Sequence, residues 1–193
     1  FKALNEDPYT PLYHKATKGV YKPGSTFKVV TGMAAMEAGM APDFKVVCPG
    51  FLPFGGRNFH CWKRGGHGVV DFHRAMRESC NVFFYQAALR AGVEKLADVA
   101  RRFGCEQVFD INLPRAEVTR GLIPDSAWHE RVRKAPWQNG GTLNMGIGQG
   151  DVLTSPLQLA VMVARAANGG LGVTPRLVRE GAAQRREVEK PQN

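Results

Sequence analysis

Pro23-Gly24-Ser25-Thr26-Phe27-Lys28 is the stretch on which the reading turns. Pro-Gly closes a turn-rich segment, and from Phe27 onward Val30, Met33, Ala34 and Met36 recur at spacings of three and four until Gly39. That period predicts a helix beginning at or beside Ser25. One helical turn then sets the Ser25 hydroxyl next to the Lys28 amine. A serine is a weak nucleophile until a base takes its proton, and a neutral lysine can serve when burial and the positive end of a helix lower its pKa. As a bare pattern, Ser-x-x-Lys also arises from a capping serine and a solvated lysine.

Working outward, residues 1–24, with Asp7-Pro8-Tyr9-Thr10-Pro11 and Lys22-Pro23-Gly24, read as an approach loop. Phe44 to Val47 reads as a short strand, and the Gly-rich run up to Gly68 as a long structured loop or hairpin. Asp71 caps a short helix, a break follows at Ser79-Cys80-Asn81, and Val82 to Ala91 resumes a helix closed by Gly92. Leu96, Val99, Ala100 and Phe103 give an amphipathic helix over 94–103. Ser155-Pro156-Leu157-Gln158 is a capping-box start for a helix running to Asn168-Gly169-Gly170, and Val173 to Val178 alternates like a strand. No internal repeat is present, so the expectation is a helix-rich chain with few strands.

Composition narrows the class. The 193 residues are 44% hydrophobic, enough for a core and too much for intrinsic disorder. The formal charge of +9 is spread along the chain, densest at Arg101-Arg102, Arg131 to Lys134 and Arg185-Arg186, without the interleaved aromatics that stack bases. A solvated basic face, or salt-sensitive attraction to an anionic polymer, fits better than nucleic-acid binding. No run approaches the roughly 20 apolar residues of a membrane-spanning helix, and the N-terminus lacks the layout of a signal peptide. The chain reads as a fragment, starting without Met and ending in the polar run Gln184 to Asn193.

Ser79 and Asn81 add a second hydroxyl and an amide at the break between two helices. Ser79 can relay a proton between Lys28 and a leaving amine, and Asn81 can hold Lys28 and hydrogen-bond a substrate amide. Ser-x-x-Lys with a Ser-x-Asn type element is the pairing found in penicillin-binding proteins and their relatives. The stretch from Thr10 to Lys28, TPLYHKATKGVYKPGSTFK, resembles the nucleophile region of a class B penicillin-binding protein. The segments CWKRGGHG (61–68), ESCNVFFYQ (78–86) and NMGIGQGDVLTSPLQ (144–158) are similar to the penicillin-binding protein 2 group, the elongation transpeptidases. Together these cover most of residues 8–178.

The resemblance implies an α+β, β-lactamase/transpeptidase-like fold, here a helix-rich part of the transpeptidase domain lacking most of the central antiparallel sheet. It divides into the approach loop 1–24, a catalytic core 25–178 and a polar end 179–193. It implies a peptidoglycan D,D-transpeptidase: Ser25 attacks the penultimate D-Ala carbonyl of a stem peptide, Lys28 acts as base, Ser79 and Asn81 complete the site, and a neighbouring amine resolves the acyl-enzyme. A β-lactam would acylate Ser25 and stay. The implied setting is the periplasmic side of the inner membrane, held by an N-terminal anchor helix outside this chain, beside a glycosyltransferase and scaffold proteins of the elongation machinery. No organic cofactor is implied. The family's Lys-Ser/Thr-Gly element has no match in the 193 residues, so the chain by itself is expected to be inactive. A serine β-lactamase and a non-catalytic β-lactam sensor or structural module are the competing readings.

Four cysteines stand at 48, 61, 80 and 105. Their spacing is not a standard zinc finger, and a Cys48–Cys61 disulfide stays open. Some members of the penicillin-binding protein 2 group bind zinc near the active site through carboxylates, a His and a Cys. The matching positions here are Cys48, Cys61, His67 and Cys80, with His60 as a substitute. Three cysteines and a histidine make a complete tetrahedral structural Zn2+ site, which would pin the 48–67 loop to the Ser79–Asn81 segment. Cys105 reads as a buried apolar thiol. Gly146-Ile147-Gly148-Gln149-Gly150 reads as a tight turn beside the cleft, Trp62, Trp128 and Trp137 as packing anchors, and Asp110, Asp125 and Asp151 receive no role.

Overall fold

In the computed structural model, which describes residues 1–178, the Pro-Gly-Ser-Thr stretch does what its spacing predicts. Beyond a four-residue exposed helix α1 (Lys2–Asn5), the approach segment is turns, until Gly24–Phe27 winds as one 3-10 turn and passes directly into α2 (Lys28–Glu37). Phe27, Val30, Ala34 and Ala35 are fully buried, while Met36 is exposed. The buried stripe of α2 therefore continues through Ala35 rather than the expected Met36.

The Gly-rich run resolves into two nested antiparallel pairs. β1 (Val46–Cys48) pairs with β4 (Gly68–Val70), with Val46 opposite Val70 and Cys48 opposite Gly68. Between them β2 (Phe51–Phe54) and β3 (Arg57–His60) form a hairpin closed by the two-residue turn Gly55-Gly56. Each sheet has only two strands, so neither is self-supporting. They are held by the core behind them, where Val46, Phe59 and Val70 join Phe83 and Phe84.

Asp71 caps α3 (Phe72–Arg77) by accepting from the Arg74 amide at 2.8 Å, as its position predicts. α4 (Asn81–Arg102) contains both helices that the sequence separates: Gly92, at φ 75° and ψ 161°, breaks the helical path between them. Two helices were not expected, α5 (Ser126–Arg133), capped by Asp125, and α6 (Asn139–Gly146). The capping box of α7 (Pro156–Ala167) is present in full, with Ser155 and Gln158 satisfying each other's backbone amides.

Two compact units emerge. The first comprises residues 22–100 and 123–152, with α2, both strand pairs, α3, α5, α6 and most of α4 around an aromatic core of Phe72, Phe83 and Phe84. The second comprises residues 1–21, 101–122 and the chain from 153, where Val161 of α7 packs on Phe109, Ile111 and Val118. Its backbone is tied by bridges of Tyr21 to Thr154 and Leu122 to Leu153. Among the described residues 173–178 form no strand, and Leu177 and Val178 are exposed. The polar end 179–193 lies outside the described residues.

Candidate active site

The unit built on residues 22–100 and 123–152 gathers four polar side chains from two stretches of its sequence. Lys28 is the first residue of α2, Ser79 lies in the link between α3 and α4, Asn81 is the first residue of α4, and Ser25 rides on the 3-10 turn. Lys28 is 1% exposed, and its Nζ donates to Ser79 O at 2.9 Å, Ser79 Oγ at 2.9 Å and Asn81 Oδ1 at 2.7 Å. Ser79 Oγ in turn hydrogen-bonds Ser25 Oγ at 3.1 Å. The two residues that sequence spacing sets side by side are thus joined through Ser79, and Ser25 itself is exposed.

Burial pushes the Lys28 amine down to about 8, against the opposing pull of the Cys61 and Cys80 thiols. Its place at the start of α2, bonded to the first residue of α4, adds two helix N-termini that disfavour an ammonium. The Phe84 ring, 5.4 Å from Nζ, supplies the apolar wall. Asn81 is fixed from behind, its Nδ2 donating to His60 O at 3.3 Å, and Tyr85 donates to the same carbonyl at 3.1 Å. Ser79 adopts φ 53°, a left-handed conformation that strains a residue with a Cβ.

Turn geometry fixes the other side of Ser25. The Gly24 amide donates to Gly148 O at 2.9 Å. A Cβ on Gly148, which sits at φ +68°, would stand 2.2 Å from Gly24 O, so only glycine lets these two backbones meet. Thr31 Oγ1 adds a 2.9 Å bond to Gly146 O and clamps α2 to the end of α6. The Gly146–Gly150 run is therefore the tight turn expected, and it lies against the turn that carries Ser25.

Next to this network the sulfurs of Cys48, Cys61 and Cys80 and a ring nitrogen of His67 lie within 4.8 Å of one another, all four residues buried. His67 Nδ1 is 3.5 Å from both Cys48 Sγ and Cys61 Sγ. A tetrahedral ion with Zn–S of about 2.3 Å and Zn–N of about 2.0 Å has S···N edges of about 3.5 Å. The donor set and spacing fit that geometry. Burial works to raise the Cys61 thiol, but backbone amides at Lys63, Asn81 and Val82 outweigh it and hold it below its usual range. Burial pushes the Cys80 thiol up to about 12, and burial lowers His67. All four cysteines are free thiols, with no Cys48–Cys61 bridge, and Cys105 is buried as an isolated thiol pushed up to about 12. His60 stays exposed and outside the cluster.

Trp62 departs from its expected role. It is exposed, with its ring edge-to-face on His67 at 5.4 Å and its Nε1 donating to Glu78 O at 3.1 Å. Glu78 is gripped by Arg74 at 2.9 Å and Arg77 at 3.2 Å. The supports His60 O, Tyr85 and Thr31 escaped the sequence reading, since backbone acceptors and long-range hydroxyl bonds leave no local pattern.

A serine on a helix-initiating turn, a buried lysine and a Ser-x-Asn segment thus meet in one hydrogen-bonded site. Residues 2–193 match the penicillin-binding protein transpeptidase domain, and the chain belongs to that family. It is 36% identical over 182 residues, 93% of its length, to a protein of Acinetobacter baumannii named peptidoglycan D,D-transpeptidase MrdA. It spans only 27% of that relative. Its fold superposes on penicillin-binding protein 2 from the Helicobacter pylori complex with MreC at a TM-score of 0.90 and 30% identity, covering 100% of this chain and 35% of that one. A structure described as coordinating polymerization and crosslinking in a peptidoglycan synthase complex matches at 0.82 and 37% identity, covering 93% of this chain and 30% of that one. The penicillin-binding transpeptidase fold inferred from the motifs is thus the fold present, as a partial domain.

Proposed function

We propose that the chain carries the acylation machinery of a peptidoglycan D,D-transpeptidase acting in cell elongation. The observation that carries this reading is the hydrogen-bonded line from Ser25 Oγ through Ser79 Oγ to a buried Lys28 Nζ that Asn81 holds in place. With its amine near 8, roughly a tenth of Lys28 is neutral at pH 7. The neutral amine takes the Ser25 proton by way of Ser79 as Oγ attacks the penultimate D-Ala carbonyl. The same proton then returns through Ser79 to the departing D-Ala nitrogen. Asn81 keeps the amine aimed and offers its amide edge to the stem peptide.

The Ser25 backbone N–H supplies one oxyanion donor, worth roughly 3–4 kcal/mol in comparable enzymes. The second belongs to the Lys-Ser/Thr-Gly strand, which the 193 residues do not contain. Acylation therefore requires that strand to be supplied. Partnership with a scaffold and a polymerising glycosyltransferase is supported by the MreC complex and the synthase complex of the relatives, and the setting this reading carries is the periplasmic side of the inner membrane.

We further propose that Cys48, Cys61, His67 and Cys80 hold a structural Zn2+. Bound there, the metal would supply charge neutralisation of the thiolates and a cross-link, and no reaction step. Cys80 sits between Ser79 and Asn81, so its anchoring orients both. Elemental analysis of protein purified without a histidine tag should give one zinc per chain. Well under one zinc, with a Cys48–Cys61 bridge by mass spectrometry, would sink the metal.

The reading of the reaction is tested by intact mass after benzylpenicillin. The chain joined to a segment supplying the Lys-Ser/Thr-Gly strand should gain one drug mass that persists and is lost in Ser25→Ala, while the chain alone stays unlabelled. Rapid release of the adduct would point to a β-lactamase. No adduct on the folded extended protein would leave a non-catalytic module.

A further inference from the structure

Ser79 occupies a place where helices ordinarily put glycine. Glu78 is the C-cap of α3, and the two amides that follow fold back onto the helix, Ser79 N donating to Met76 O at 3.3 Å and Cys80 N to Ala75 O at 3.0 Å. That is the Schellman closure, in which the residue just past the cap takes a left-handed φ. Ser79 takes it, at 53°. A left-handed residue with a Cβ persists only where its surroundings over-determine it. Here the direction of Oγ must be held as well as the backbone, since that atom lies 3.1 Å from Ser25 Oγ and 2.9 Å from Lys28 Nζ.

Two side chains add to that closure, one on each of the peptide planes that flank the Ser79 Cα. Lys28 Nζ donates to the carbonyl of Ser79 itself at 2.9 Å. On the other plane Trp62 Nε1 donates to Glu78 O at 3.1 Å. The indole reaches the link from outside the helices: it follows Cys61 of the cysteine–histidine cluster, and its ring stands edge-to-face on the buried His67 at 5.4 Å. Trp62 is 63% exposed, so burial of a large apolar side chain does not account for its placement. The Glu78 carboxylate is held in turn by Arg74 and Arg77, which leaves the residue before Ser79 fixed at both its side chain and its carbonyl.

Resting on the transpeptidase reading, we infer that Trp62 is a positioning residue for acylation: its indole N–H fixes the Glu78–Ser79 peptide plane, and with it the rotation about the Ser79 N–Cα bond that aims Oγ between Ser25 and Lys28. Its effect reaches the reacting groups through Ser79 alone. The contact with His67 sets the indole, so the cluster and the proton relay are joined by a second path besides Cys80. One hydrogen bond at an exposed carbonyl adds little to stability and much to aim, because a small misplacement of a proton-transfer group is felt steeply in rate.

The test uses the extended protein of the preceding section and resolves benzylpenicillin acylation into a rate constant and a dissociation constant, with zinc content measured alongside. Trp62→Phe removes the N–H, keeps a ring against His67 and, at an exposed position, leaves the fold intact. Its acylation rate constant should fall at least about tenfold, with dissociation constant and zinc content as in wild type. In Ser79→Ala there is no hydroxyl to aim, so adding Trp62→Phe should lower the remaining rate by less than about twofold. A wild-type rate in Trp62→Phe, a loss that adds in full to that of Ser79→Ala, or zinc lost in step with the rate overturns the positioning role alone. A wild-type protein that forms no adduct overturns the transpeptidase reading beneath it.

Discussion

Lys28 Nζ donates to both the hydroxyl and the carbonyl oxygen of Ser79, each at 2.9 Å. One residue thus serves as relay and as tether, and the lysine cannot shift without dragging the segment that carries Ser79. Burial keeps that lysine near 8.

The first expectation concerns pH. Penicillin acylation of the protein extended by the Lys-Ser/Thr-Gly segment should rise about tenfold per pH unit below about 8 and level off above it, and Lys28→Met should lower it by roughly 10²- to 10⁴-fold. Because the folded amine lies below its unfolded value of 10.5, the unfolded chain holds more protons between about 8 and 10.5. Stability owed to this group therefore climbs across that window, and the penalty, about 3 kcal/mol, is fully present below it. Denaturant midpoints of wild type against Lys28→Met from pH 7 to 10.5 would show the wild type gaining on the variant. A flat difference would remove the buried neutral amine from the mechanism.

Ser79 offers a separation of stability from activity. Its left-handed φ of 53° costs roughly 1–2 kcal/mol, which glycine avoids. Ser79→Gly should hold or raise the unfolding midpoint while acylation drops at least about 100-fold. Ser79→Ala should lose activity equally with no gain in stability. Equal stability losses in both variants would mean the strain is absent.

Gly148→Ala places a methyl 2.2 Å from Gly24 O. The nucleophile turn must then move, and a displacement near 1 Å can cost about 100-fold in rate. Acylation should collapse with near-native circular dichroism, and retention of more than half the rate would show the turn to be pliable.

In the unit that contains α7, Gln158 is 1% exposed and satisfies three backbone groups: it accepts from Ser155 N at 2.9 Å and donates to Gln107 O at 2.9 Å and Arg120 O at 2.8 Å. Gln158→Leu strands all three and should cost about 3 kcal/mol. Ser155→Ala removes only the cap and should cost about 1 kcal/mol. Urea unfolding of both variants distinguishes a keystone side chain from an ordinary cap.

What could be read beforehand followed from locality. Asp71 and the Ser155-Pro156-Leu157-Gln158 run act on amides two or three residues away, so their helices were legible. So was the Gly92 break, which needs only a positive φ. α5 carried a comparable cue in Asp125, but its exposed, basic sequence has no buried residue to give a period. α6 reads Asn-Gly-Gly-Thr-Leu-Asn-Met-Gly and owes its helix to tertiary packing, with Leu143 and Met145 buried and the Gly146 backbone set close against Ala88. The residues of the hydrogen-bonded line were nameable from Ser-x-x-Lys and Ser-x-Asn, but Ser79 as the bridge between Ser25 and Lys28 was not, since that depends on where a 51-residue return places it. Met36 and the 173–178 alternation misled for the same reason: periodicity records a face and does not name what covers it.

The interruption at Gly92 has a mechanical corollary. Residues 81–91 make about three turns, and their amide ladder ends where Gly92 leaves helical geometry. Loosening of the 93–102 half need not unzip the half that begins with Asn81. Amide exchange along α4 should fall into two kinetic classes divided at that glycine, the slower one guarding the residue that aims the lysine.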